Sequence, residues 1–174
     1  MIYPIKRAKK AFTLIEILIY TTLVAIFLVT AVNFSLDIIA GKAKARSMRE
    51  VQQNTRFTIE RMTQEIRRAV NLNLAESVFD AHPGILSLAM PEAEKNPTVF
   101  DLSLDGALRM TQGTSTPEVL FSNQVVATNL IFTNLSPLAW SKNIKIDLTI
   151  QYKNPERKEF EAISFIETAV SLRK

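Results

Sequence analysis

A single carboxylate, Glu16, sits near the start of a long apolar stretch, "FTLIEILIYTTLVAIFLV". Just before the stretch come four cations, Lys6, Arg7, Lys9 and Lys10. From Ile17 to Leu36 no residue is charged, and Leu, Ile, Val, Phe and Ala predominate. A charge at the centre of a hydrocarbon layer costs about 2.5–3.5 kcal/mol on insertion scales. A segment that only anchored the chain would insert more readily without it. Something must therefore neutralise Glu16 if it lies in a low-dielectric layer. The alternative is an accidental carboxylate that snorkels to the headgroups.

The element that must carry Glu16 is a helix. The charge-free run is long enough to cross a bilayer core of roughly 30 Å. A cleavable secretory signal competes with this reading, and the small residues of "AGKAKA" (Ala40–Ala45) would serve as its cut site. Such signals have an apolar core of about 7–15 residues, shorter than this run. Lys42, Lys44, Arg46 and Arg49 follow the run, so cations flank both sides and the positive-inside rule leaves the orientation open. The second cluster reads as a solvated helix face.

Beyond the run the pattern stays helical. Met48, Val51, Thr55, Ile59, Met62, Ile66 and Ala69 recur at steps of three and four, which places them on one face. Arg49, Gln53, Arg56, Glu60, Gln64 and Arg67 mostly lie elsewhere around the axis. No proline occurs between Pro4 and Pro83, and Gly41 is the single interior weakener, costing about 1 kcal/mol relative to Ala. The expectation is one helix from about Thr13 to about Asn73, roughly 90 Å long at 1.5 Å per residue.

"HPG" (His82–Gly84) is a definite break, and the period then changes to two. Phe100, Leu102 and Leu104 alternate with Asp101, Ser103 and Asp105, and Asp105-Gly106 suits a tight hairpin leading to Leu108 and Met110. Val125–Phe132, the alternating run Ile144–Tyr152, and Phe160–Leu172 are further strands, with "NPERK" (Asn154–Lys158) a turn between the last two. The fold class is α+β: a long N-terminal helix, half membrane-type and half amphipathic, packed on an antiparallel sheet. The chain has no internal repeat and no low-complexity tract.

Composition removes several function classes. Cysteine is absent, which excludes disulfides, thiolate metal sites and a cysteine nucleophile. Removing the four cations that precede Phe12 from 21 Lys+Arg leaves 17, equal to the 17 Asp+Glu, so the net +4 belongs to an N-terminal targeting segment and not to a binding face. His82 is the lone histidine and sits in a loop; with four glycines there is no phosphate-cradling loop. Enzyme activity is not expected, and neither is a cofactor. Asp101 and Asp105 read as outward strand residues and not as calcium ligands. Lys153, Arg157 and Lys158 are interleaved with Glu156, Glu159 and Glu161, and Trp140 is a lone aromatic, so nucleic acid is not an expected partner.

The residues "KKAFTLIEIL" (Lys9–Leu18) resemble the N-terminus of type IV prepilins and pseudopilins: a basic leader, a small residue, Phe, a Thr-Leu-Ile-Glu core and an apolar helix. The resemblance covers about the first sixty residues and extends to the sheet region in outline. It implies a leader at 1–11, an assembly helix at 12–45, and a pilin-like globular domain at 46–174 built from helix 46–73 and sheet 84–174. It implies cleavage between Ala11 and Phe12 by an inner-membrane prepilin peptidase, methylation of the Phe12 amine, and pairing of Glu16 with that amine in a neighbouring subunit. No metal is implied. The implied partners are other pilin or pseudopilin subunits, the peptidase, and an inner-membrane assembly platform. The implied location is the inner membrane, single-pass, with the globular domain extracytoplasmic, before incorporation into a pilus or pseudopilus. Ala11 stands where the family most often has Gly, Asn33 where many major pilins have a helix proline, and the paired C-terminal cysteines of many pilus subunits are missing. The implied function is that of a structural subunit of a type IV pilus or a type II secretion filament. A competence pseudopilin in DNA uptake, or a signal-anchored protein that does not assemble, are the alternatives. "ERMTQEIRRA" (Glu60–Ala69) and the ending "ETAVSLRK" resemble J-type minor pseudopilins and W-type minor pilins.

Overall fold

The computed structural model describes residues 12–136, 142–153 and 160–172. The expected leader, Trp140 and the expected turn Asn154–Lys158 lie outside these. Packing divides the chain into two units, Met1–Gly41 and Lys42–Lys174.

One helix, α1, runs Leu14–Arg68. In the first unit its side chains are almost all exposed, as in Leu14, Phe27 and Phe34. Among the described residues it is the one helix that contains a stretch long and apolar enough to cross a membrane. Burial starts at Ser47 and continues through Val51, Thr55, Ile59, Met62 and Ile66, which is the expected stripe. Met48 departs from it and is exposed. Thr58 and Glu65 are buried beside the stripe.

The helix ends earlier than expected. The Ala69 N–H reaches both Glu65 O and Ile66 O, a tightened last turn, and the Val70 N–H then donates to Ala89 O at 2.9 Å. Residues Asn71–Leu72 pair with a strand and not with the helix. A long-range sheet bond thus replaces the next helical one, and the expected helical tail Ala69–Asn73 is corrected accordingly.

The β region forms two antiparallel sheets where one was expected. The five-stranded sheet takes its strands in chain order: β1 (Asn71–Leu72), β2 (Leu86–Ala89), β3 (Thr98–Leu102), β4 (Leu108–Gln112) and β5 (Glu118–Val119). The three-stranded sheet holds β6 (Val125–Asn134), β7 (Asn143–Tyr152) and β8 (Ile163–Ser171). Among the described residues every strand pairing is antiparallel. The β3–β4 connection is a five-residue turn, 103–107, and not a two-residue hairpin. Asp105 and Leu104 therefore leave the strand, and Leu104 is fully exposed.

The core joins the helix stripe to both sheets: Val51, Met62 and Ile66 from α1, Leu86, Phe100 and Leu108 from the larger sheet, Phe132, Ile146 and Leu148 from the smaller. Each such side chain contributes about 1.5–3 kcal/mol on burial. The loop before β2 closes the outer edge of β6: the Asp80 N–H donates to Phe132 O at 2.8 Å and the Gly84 N–H to Leu130 O at 2.9 Å. Gly84 allows this close approach: a Cβ would sit 3.0 Å from the Phe132 ring and 3.1 Å from Leu130 O, tighter than ordinary contact.

Candidate assembly site

The site is the first turn of α1. Thr13 precedes the helix, and its carbonyl accepts the Ile17 N–H at 3.2 Å, the first intrahelical bond. Its hydroxyl accepts the Glu16 N–H at 3.3 Å. Thr13 is thus the N-cap and satisfies one of the donors that every helix start leaves unpaired. Threonine followed three residues later by glutamate is the capping-box spacing. Here the Glu16 carboxylate does not turn back to the cap, because its Oε1 accepts the Tyr20 hydroxyl at 3.1 Å, one turn further along. A carboxylate in the first turn also faces the positive end of the helix dipole.

Glu16 is half-buried, whereas the neighbouring Ile15 and Ile17 are exposed. Phe12, the residue expected to carry the new amine, precedes the helix and is 71% exposed. Ala11, the other side of the expected cut, lies outside the described residues. Glu16 and Phe12 stand out in the sequence, whereas the roles of Thr13 and Tyr20 emerge only from the geometry. The signals were present as a capping-box spacing and a hydroxyl at i+4.

Three residues weighed for other chemistry, Asp101, Asp105 and His82, have partners within the globular unit. Asp101 lies opposite Arg109 in the β3–β4 register and forms a two-pronged ion pair with it, at 3.0 and 2.6 Å. That contact with Asp101 raises the Arg109 pKa. Asp105, in the turn, accepts a hydrogen bond from the Ser103 hydroxyl, which lowers its pKa. His82 is exposed, and its Nδ1 accepts the Leu130 N–H at 3.1 Å, so it caps the edge of β6. Among the described residues no group of acids and histidines has metal-binding geometry.

Residues 6–32 match the family described as the prokaryotic N-terminal methylation motif. No curated protein and no solved structure matches the chain. The matched segment spans the basic cluster before Phe12, then Ala11, Phe12, Glu16 and most of the apolar run, and it supports the type IV prepilin and pseudopilin family. The motif implies a structural subunit and not an enzyme, processed as prepilins are and assembling with other pilin subunits. The motif and the apolar helix are together consistent with membrane anchoring.

Proposed function

We propose that this chain is a minor pilin or pseudopilin of a type IV pilus or type II secretion filament. Prepilin peptidase cuts between Ala11 and Phe12, and the new Phe12 amine is methylated. The assembly helix is 12–45 and the globular domain 46–174, the latter extracytoplasmic. An inner-membrane platform feeds the subunit into the filament through its N-terminal helix. The reading is carried by Glu16: a half-buried first-turn carboxylate at the head of a charge-free run, one of whose oxygens is held by Tyr20.

The physical logic is a matched pair of penalties. Cleavage removes the leader cations and creates an α-ammonium on Phe12, which a secondary amine after methylation retains as a base. A lone carboxylate and a lone ammonium each disfavour the isolated subunit in a low-dielectric layer, and mutual pairing between subunits relieves both. Glu16 then sets the axial register of one helix against the next.

Mass spectrometry of the mature N-terminus tests the cut, with methyl-Phe12 expected; a start near Ala45 overturns the reading. Glu16→Gln tests the pairing. The variant should insert and be cleaved, yet fail to cross-link with partner subunits. Normal incorporation of the processed variant sinks the pairing role.

A further inference from the structure

We propose that the Tyr20 hydroxyl is the donor that holds Glu16 in the unassembled subunit, satisfying one carboxylate oxygen within the apolar layer and leaving the other for the amine of the incoming subunit. The inference rests on the pairing role of Glu16 given above and adds a positioning residue to it.

Three observations carry it. Tyr20 and Glu16 are four apart on α1, the spacing at which helix side chains meet, and long side chains lean toward the N-terminus over the preceding turn. The tyrosine hydroxyl lies 3.1 Å from Glu16 Oε1, while Oε2 has no hydrogen-bond partner among the described residues. The other hydroxyls of the run behave differently. Thr21, Thr22, Thr30 and Ser35 all donate to carbonyls of their own helix, three or four residues back. Tyr20 alone among these reaches a side chain, and that side chain is the one acid in the stretch from Phe12 to Leu36.

The chemistry favours a neutral donor at this place. A phenol in an apolar layer needs a partner for its hydroxyl, and phenylalanine would fill the same space without that need. A hydrogen bond from a hydroxyl to a carboxylate offsets part of the desolvation penalty but leaves the negative charge intact. A lysine or arginine in the place of Tyr20 would cancel the charge and compete with the amine that is meant to arrive. Tyr20 therefore steadies Glu16 before assembly without removing the drive to assemble, and it fixes the side-chain rotamer so that Oε2 is the oxygen presented.

The test uses the full chain in native membranes. Tyr20→Phe, Glu16→Gln and the double variant are compared by site-specific cross-linking to partner subunits, with leader cleavage as the insertion control. Tyr20→Phe should reduce cross-linking about tenfold, the factor that about 1.4 kcal/mol represents. Glu16→Gln should abolish it, and the double variant should be no worse than Glu16→Gln alone. The carboxylate stretching band of the purified subunit in micelles should shift between wild type and Tyr20→Phe, and no such shift should arise from Tyr20→Phe in the Glu16→Gln background. A phenyl ring preserves the packing, so a purely steric role predicts no loss and no band shift. Wild-type cross-linking by Tyr20→Phe beside a defective Glu16→Gln overturns this proposal alone. Normal cross-linking by Glu16→Gln overturns the pairing role and this proposal with it.

Discussion

Asn54 on α1 and Ser122, just before β6, are separated by 68 positions, yet the Ser122 N–H donates to Asn54 Oδ1 at 2.9 Å. The Ser122 hydroxyl donates to Glu50 Oε1 at 2.8 Å, and the Asn54 amide donates to Glu50 O at 2.7 Å. One helical turn thus clamps the loop that leads from the larger sheet into the smaller one. Asn54→Ala strands the Ser122 N–H and should destabilise the globular unit by about 1–3 kcal/mol. Thermal melts of the full chain in detergent, followed by near-UV circular dichroism, measure this; an unchanged midpoint would show the clamp to be incidental.

Glu65 is 1% exposed and is met by Arg61 at 3.2 Å and Arg68 at 3.8 Å. Its Oε2 is buried without a partner among the described residues. Removing a partner from a buried charge costs more than the pair contributed. Arg61→Ala should therefore destabilise by about 1–3 kcal/mol, a value discounted because Arg61 is itself partly exposed. Arg68→Ala should cost less, since its contact is longer and wetter. The same melts decide, and a larger effect from Arg68 contradicts the assignment.

Gly113 has φ +55, and a Cβ there would lie 2.3 Å from Glu94 O. Its N–H donates to Pro97 O at 2.8 Å, so the backbone cannot withdraw without losing a hydrogen bond. Gly113→Ala should lower stability by at least about 1 kcal/mol through strain at positive φ and the clash. Gly41→Ala is the control, because nothing lies within 4 Å of its Cβ position, and helix propensity alone should make that change neutral or stabilising.

Lys145 bridges Asp147 at 3.3 Å and Glu167 at 3.0 Å, two acids placed opposite each other by the β7–β8 register. Its pKa is raised, chiefly by the hydrogen bond to Glu167 and then by that to Asp147. A folded-state pKa above the unfolded value contributes stability that is fully present below the ordinary lysine value of 10.5 and is lost as pH rises through the folded pKa. Lys145→Met should melt below wild type at neutral pH, and the gap should narrow once pH passes about 10.5. A gap that stays constant across that window would remove the ion bridge as its cause.

The strands that were legible in the sequence are those with one wet face. Ile144–Tyr152 and Val125–Phe132 alternate because one side of the smaller sheet meets solvent. Strand β2 was missed because Leu86, Ser87 and Leu88 are all buried, so no period of two was written into it. Strands β1 and β5 have two residues each and exist only through their neighbours.

The sequence alone determined the long helix, its change from an all-round apolar run to an amphipathic stripe, the α+β class and the residue on which assembly is proposed to turn. All of these are local: they follow from spacing along one chain, and a carboxylate heading a charge-free run is visible without coordinates. Only the tertiary structure decided where α1 stops, how the strands split into two sheets, and which partner each buried polar group finds. Those outcomes depend on bonds between distant residues, such as Val70 to Ala89 and Ser122 to Asn54, whose geometry no local pattern encodes. The Tyr20–Glu16 contact falls between the two cases. Its spacing is written in the sequence, but the structure was needed to show that the hydroxyl donates to the acid and not, like its threonine neighbours, to the helix backbone.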